Sequence, residues 1–481
     1  MNKLDHFFTL MLGTGINVIL GVITTPVITR LVSPDVYGSL SLFTLYANIF
    51  LIVATFGQDQ AYNRFYYSCE EQGYKKYILK VTASAPIIIS IISALIIVSY
   101  YFCDGKQNNI LPIFAVYIIS LVFEKFSGMT LRLQMNTKAY ALFLNIQKLA
   151  YVVFVVLAIN VTTIDHLLIL AGSTVAAQII ACLLGVLAAK DVWSLKFFLT
   201  KTRDEYKKVI AEKELLKYGI PLVFTSLCAW IFTGADKVMI EMFSDIAELG
   251  IYASAVSVVG ILSVVTSSFT VIWAPIAVEE YEKDNNNKTF FIKAADYTTI
   301  VLFIMGSCVI LFKDVIVYFL GPEYREAVFL LPFLTLNPIM YTISESTVYG
   351  INFAKKTYLH IVIAGSCCIV NVALNYLLIN AIGSLGAAIS TGITYTLLFA
   401  LRTFFSVKCF PVNYNIKKIV VLTIIYYIFA FYNSFYKIDL ISCCIFIVFI
   451  LAVIILYKKS IIEIFDMVKE YIFRLINRVK L

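Results

Sequence analysis

From Thr357 to Leu401 the chain carries no Asp, Glu, Lys or Arg. A soluble domain needs charge to cover its surface, so a run this long without any points to lipid as the outer solvent. One helical crossing takes about 20 residues. The run is therefore long enough for two, with a break expected near Asn380–Ser384. Val81–Cys103, Leu149–Ile164, His166–Ala189, Leu249–Val278 and Leu440–Tyr457 are uncharged as well. Lipid offers the backbone no hydrogen bonds, so such runs cross as helices. Composition agrees, at 60% hydrophobic and 14% charged residues, with a mean hydropathy of +0.88.

The expected spans are 8–29, 37–57, 81–103, 110–131, 140–160, 166–189, 218–240, 249–276, 294–312, 327–353, 358–379, 385–406, 418–436 and 439–457. The fold class is thus an all-α integral membrane protein of about fourteen transmembrane helices. The first and tenth spans are the richest in Gly, Thr, Asn and Pro. Met1–His6 is short and leads into apolar sequence without an A-x-A site, so no cleavable signal is expected. The ten cysteines lie mostly within apolar runs, where they act as small hydrophobes, and no C-x-x-C pair suggests a metal site. Neither metal nor cofactor is expected.

The basic residues test the span count. With the N-terminus in the cytoplasm, thirty of the 38 Lys and Arg fall in inward loops and tails, Arg64, Arg132 and Arg402 among them. The outward loops hold Arg30, Lys106, Lys313, Arg325 and Lys437. One missed span would reverse the bias from that point on, so the asymmetry places both ends in the cytoplasm. The net charge of +8 therefore reports topology and contact with anionic membrane lipid, not nucleic acid. In the tail, Ile461, Ile464, Phe465, Val468, Ile472 and Leu475 form an apolar stripe against Lys469, Arg474 and Arg478. It reads either as an amphipathic helix on the inner surface or as a short helix packed on the loops.

The connector 190–217 divides an N-terminal lobe of six helices (1–189) from a C-terminal lobe of six (218–406). Two additional helices (407–457) and the basic tail (458–481) follow. The lobes open alike: Ser33-Pro34-Asp35-Val36-Tyr37-Gly38 answers Ser244-Asp245-Ile246-Ala247-Glu248-Leu249-Gly250. Both lobes start on the same side, which makes them a pseudo-symmetric parallel repeat suited to alternating access.

These residues carry a family resemblance. Thr29-Arg30-Leu31-Val32-Ser33-Pro34-Asp35-Val36-Tyr37-Gly38, then Gly57 and Asn63-Arg64-Phe65-Tyr66-Tyr67, resemble the opening of bacterial polysaccharide exporters. Gly219-Ile220-Pro221, Asp236-Lys237-Val238-Met239-Ile240, Trp273-Ala274-Pro275, Leu320-Gly321-Pro322-Glu323-Tyr324 and Leu385-Gly386-Ala387-Ala388-Ile389 continue it. That family, which includes the O-antigen flippases, belongs to the multidrug/oligosaccharidyl-lipid/polysaccharide (MOP) superfamily. The resemblance implies a MATE-like fold in the bacterial inner membrane. It also implies flipping of an undecaprenyl-pyrophosphate-linked oligosaccharide to the periplasmic leaflet. A polysaccharide polymerase and a chain-length regulator are the implied protein partners.

A pyrophosphate carries about two negative charges, which hydrocarbon does not tolerate bare. The cavity of such a flippase needs cations, and ionisable residues within spans read as functional. Lys148, with Asn145 on the same face, and Lys125 lie towards the inner side. Lys237 and Arg30 lie towards the outer side. Asn48, with Ser41 and Thr55 at seven-residue spacing, lines a sugar path in this reading. Glu345, Asp236 and Glu124 are the candidates for a coupling ion. Bland roles stand beside these: snorkelling for Arg30, a structural pair for Asp236 and Lys237, a hydrogen-bonded structural acid for Glu345. Export of two negative charges against 100 mV, inside negative, is downhill by roughly 4–5 kcal/mol.

Rival functions are a multidrug or cation extruder of the same superfamily, a flippase for the cell-wall precursor, and a membrane-embedded polymerase or acyltransferase. An extruder of cations needs acids to dominate its cavity. Enzymes of the last kind gather His, Asp or Arg on a sizeable loop, whereas His6, His166 and His360 are far apart. With no nucleotide-binding motif either, the chain is not expected to be an enzyme.

Overall fold

The computed structural model describes residues 3–103, 108–193, 210–284 and 287–479, and among them it contains helices and no strand. Twelve helical stretches among the described residues, Ala327–Phe353 counted as one, are long and apolar enough to cross a membrane. One of the twelve, Tyr358–Cys409, runs for 52 residues and leaves helical geometry at Ile382 and Gly383. That kink lies inside the break expected at Asn380–Ser384. The chain divides into two compact units, Met1–Val238 and Met239–Leu481. Most of the hydrophilic connector, residues 194–209, lies outside the described residues.

The first unit holds α1 (Lys3–Thr29), α2 (Pro34–Thr55), α3 (Gln58–Phe65), α4 (Gln72–Cys103), α5 (Ile110–Leu133), α6 (Thr137–Val161), α7 (His166–Ala188) and α8 (Glu212–Phe243) as far as Val238. Local chemistry sets several starts. Pro34 opens α2, where its missing N–H costs nothing. Asp165 caps α7 by accepting from Leu167 N at 2.7 Å, and Asn136 caps α6 by accepting from Ala139 N at 3.3 Å. α5 packs against α2, α4 and α7, while α6 packs against α1 and α7. Small residues allow this: Ala171, Ala177 and Ala181 on α7 are fully buried. Gly128 and Gly185 make room for the Phe143 ring, which an added Cβ would meet at 2.9 and 3.0 Å. At one end lies a tyrosine-rich core, with Tyr62, Tyr66, Tyr74 and Tyr77 fully buried. The Tyr62 and Thr130 hydroxyls sit 2.9 Å apart, and the Tyr77 hydroxyl donates to Ile210 O at 3.1 Å.

The second unit continues with α9 (Ile246–Lys283), α10 (Lys288–Leu311), α11 (Lys313–Tyr318), a 3-10 turn (Pro322–Tyr324), α12 (Ala327–Leu334), α13 (Leu336–Thr347), α14 (Tyr349–Phe353), α15 (Tyr358–Cys409), α16 (Ile416–Asn433) and α17 (Leu440–Val479). The expected tenth span is thus three helical pieces, interrupted at Thr335 and Val348. Pro338 supplies no N–H to the carbonyl four residues earlier, which weakens the ladder at the first interruption. The segment lasts because it is encased: Leu336, Ile339, Met340 and Ile343 are fully buried. Its hydroxyls bond to neighbours, Thr342 with Thr266 at 2.7 Å, Thr347 with Thr403 at 2.8 Å and Thr335 with Tyr426 at 2.7 Å.

Two basic residues, Arg402 and Lys313, depart from the loop positions expected of them, and Arg64 stays exposed between spans. Arg402 lies within α15 and ion-pairs with Glu345. Arg64 lies in α3, the short helix that follows the second span directly. Lys313 opens α11 fully buried, donating to the carbonyls of Asn433 and Tyr436 with the Phe329 ring 5.4 Å away. For Arg402 and Lys313 a polar partner elsewhere in the fold draws in a side chain that sequence alone leaves in solvent. In the tail, Tyr457 breaks helical geometry within α17. Glu463 beyond it pairs with Lys293 at 3.0 Å and accepts from the Tyr297 hydroxyl at 2.7 Å, so the tail begins by docking on α10. Phe465 is exposed, and the side chains of Val468, Ile472 and Leu475 lie outside the described residues.

Candidate functional site

The first unit encloses a polar cavity of about 570 Å³ bounded by α2, α3, α5 and α6. Its charged and polar lining comes chiefly from Asn48, Asp59, Gln60, Glu124, Lys125 and Arg132. The backbone turn at Phe56 and Gly57, with φ values of 30° and 78°, brings α3 to the cavity. Two successive left-handed residues turn the chain straight from α2 into α3, and Asp59 follows in the first turn of α3. Gly57 also abuts Gly219 of α8: a Cβ added at Gly57 would stand 2.0 Å from the Gly219 carbonyl oxygen.

Lys125 reaches Asp59 at 3.4 Å, with 38% of the lysine side chain exposed and 10% of the aspartate. The neighbouring Glu124 points elsewhere and accepts from Gln178 Nε2 of α7 at 2.5 Å. Gln178 Oε1 in turn accepts from Gln147 Nε2 of α6 at 3.2 Å. Adjacent helix residues project about 100° apart, which explains the separate partners. Chemically, the cavity offers two cations, two acids and several amides on one wall set.

The structure brings together Lys125, Glu124 and Asn48 of the residues singled out by sequence. Asn48 donates to its own helix, to Thr44 O at 2.8 Å. Lys148 and Asn145 stand apart from the cavity lining and join α6 to α1. Lys148 Nζ donates to Asn17 O at 2.7 Å, and Asn145 Nδ2 donates to Ala141 O at 2.8 Å and Gly13 O at 3.3 Å. Asn17 Nδ2 returns a bond to Leu144 O at 2.6 Å. Lys237 donates to Ser41 Oγ at 2.8 Å, Asp236 is buried, and Arg30 is exposed just past α1. Glu345 faces Arg402 Nη1 at 2.6 Å in the second unit. Asp59 and Arg132 were missed as cavity residues. Gln58-Asp59-Gln60 reads as loop polarity because the turn that aims it depends on backbone torsion, and Arg132 reads as an inward basic residue. Among the described residues no group of three or more His, Cys, Asp or Glu could hold a metal ion.

Residues 4–280 match the family model described as polysaccharide biosynthesis protein. The chain belongs to that family. "Lsg locus putative protein 1" of Haemophilus influenzae is 24% identical over 345 residues, covering 68% of this chain and 80% of the relative. An uncharacterized membrane protein of Methanocaldococcus jannaschii is 23% identical over 198 residues, 40% of this chain and 45% of the relative. Among solved structures, the lipid II flippase MurJ in an inward closed conformation superposes with a TM-score of 0.67 at 15% identity, over 94% of this chain and 99% of that one. An inward-facing multidrug resistance MATE family transporter of the MOP superfamily superposes with a TM-score of 0.55 at 15% identity, over 82% and 93%. The chain is thus a multi-pass membrane protein with the fold of MOP-superfamily transporters. Those two structural neighbours are a flippase and a transporter.

Proposed function

We propose that this protein is a flippase for an undecaprenyl-pyrophosphate-linked oligosaccharide. It works by alternating access between its lobes and carries the glycan from the cytoplasmic to the periplasmic leaflet of the inner membrane. Both chain ends are cytoplasmic, and no covalent bond is made or broken. One observation carries the reading: a polar cavity containing Lys125 and Arg132, set among helices whose other faces are apolar enough for lipid. A pyrophosphate needs such cations, and sugar hydroxyls need such amides as Asn48 and Gln60. Its polyprenyl chain needs nothing from the cavity and stays in lipid. Lys148 and Asn145 serve by holding α1 on α6, and Lys237 and Arg30 serve the outer part of the path.

The reading is tested in cells whose own flippase gene is deleted. Lys125→Gln and Arg132→Gln should each lower surface glycan at normal membrane abundance, and the double variant should abolish it. Full glycan display by the double variant rejects the role of these cations. Restored drug resistance without glycan display would instead make the protein an extruder.

A further inference from the structure

Four charged groups line the cavity, and they balance: Lys125 and Arg132 against Asp59 and Glu124. The two acids are held differently. Asp59 has a cation, Lys125 at 3.4 Å. Glu124 has an amide, Gln178, at 2.5 Å. An amide can serve either state of a carboxyl group. It donates through nitrogen to the carboxylate and accepts through oxygen from the acid. Gln147 extends this property, because its own amide sits 3.2 Å beyond Gln178. Half-turn rotation of both amides reverses the whole chain and leaves every bond in it intact.

We propose that Glu124 is a proton site coupled positively to the binding of an anionic headgroup in the same cavity. The proton comes from water in the cavity and joins a Glu124 carboxylate oxygen. The new O–H donates to Gln178 Oε1, and Gln178 Nε2 then donates to Gln147 Oε1. The charge on the lining moves from zero to one positive. An anion such as a pyrophosphate diester is then met by Lys125 and Arg132 with Asp59 as their single opponent. Linkage makes the effect reciprocal: the bound anion strengthens proton binding by the same factor. The other titratable and charged groups facing Glu124 are Tyr117, Lys125 and Arg132 on its own helix, Cys182 on α7, Tyr140 on α6 and Asp59 on α3.

This inference rests on the flippase reading for its ligand, and two measurements separate the two. The first uses the full-length protein in nanodiscs without ligand. An infrared pH titration should show a protonated-carboxyl band that disappears in Glu124→Gln, persists in Asp59→Asn and shifts in Gln178→Leu. A band retained in Glu124→Gln overturns the proton site. The second measures binding of farnesyl pyrophosphoryl N-acetylglucosamine, a short-chain diester whose charge is constant near neutral pH. Wild type should bind on the order of tenfold more tightly on the acid side of the titration and take up a proton on binding. Glu124→Gln should bind equally tightly at all pH values, without proton uptake. Equal pH dependence in wild type and Glu124→Gln overturns the coupling. No binding by wild type at any pH rejects the flippase reading and the coupling together, while the infrared result still decides the proton site.

Discussion

Arg402 Nη1 lies 2.6 Å from the Glu345 carboxylate, and the guanidinium also sits 5.1 Å from the Tyr341 ring centroid. Only 17% of the arginine side chain and 12% of the glutamate are exposed. Ser344 Oγ accepts a further bond at 3.0 Å, so the pair ties α13 to the second arm of α15. Removing one partner of such a pair leaves the other charge buried, at a cost of about 3–5 kcal/mol. Arg402→Gln should therefore lower the unfolding temperature in detergent markedly. Glu345→Gln combined with Arg402→Gln should lower it less than Arg402→Gln alone. A double variant as unstable as the sum of the singles would contradict an ion pair at this position.

Gly383 supplies the bend within α15. Its φ is +58°, and an added Cβ would stand 2.3 Å from Glu248 Oε2. That carboxylate accepts from Ser384 N at 2.7 Å and so satisfies the start of the second arm. Gly383→Ala should cost at least about 1–2 kcal/mol from the left-handed backbone alone. Glu248→Ala should cost on the order of 1 kcal/mol. Thermal unfolding of the two purified variants should rank them in that order.

The break before Ser384 was readable because an uncharged run long enough for two spans must turn, and glycine is where turning costs least. The family was readable because its motifs recur in order along the chain. Lys125, Glu124 and Asn48 were readable as polar groups inside apolar runs. Their partners were not. Asp59, Gln178 and Gln147 meet them only through the packing of α3, α6 and α7 on α5, and spacing along a single helix carries no trace of that. Lys148 shows the converse. Its depth in the span marks it as costly to bury, but a backbone carbonyl on α1 meets that need as well as a substrate does.

Gly57 and Gly219 touch backbone to backbone, with room for no side chain at either position. Gly57→Ala adds a left-handed penalty to a steric one, since its φ is +78°. It should displace α3 and with it Asp59, so that Lys125 loses its partner. Accessibility of a cysteine placed at Gln60 to a charged maleimide should change in Gly57→Ala and remain as in the parent in Gly15→Ala, where nothing lies within 4 Å.

Lys313 lies outside the membrane-crossing helices, and burial pushes its ammonium down from 10.5 to about 8. Between those two values the unfolded chain holds more of the proton than the folded one. Stability should therefore rise as pH climbs through that window. Lys313→Met should lose this dependence. It should also be less stable near neutral pH, because the Asn433 and Tyr436 carbonyls are orphaned at about 1–3 kcal/mol each. Unfolding temperatures measured across the alkaline range check both statements.

Cations lining the cavity of the first unit, Lys125 and Arg132, are proposed to carry a lipid-linked pyrophosphate glycan across the bilayer. The most direct test places the purified protein in liposomes with a fluorescent undecaprenyl-pyrophosphate-linked glycan in both leaflets and adds a membrane-impermeant quencher outside. With the wild-type protein, quenching should proceed to completion. With the protein bearing both Lys125→Gln and Arg132→Gln it should stop at a plateau near half. A half-plateau with the wild type, or complete quenching with the double variant, would contradict the proposed role.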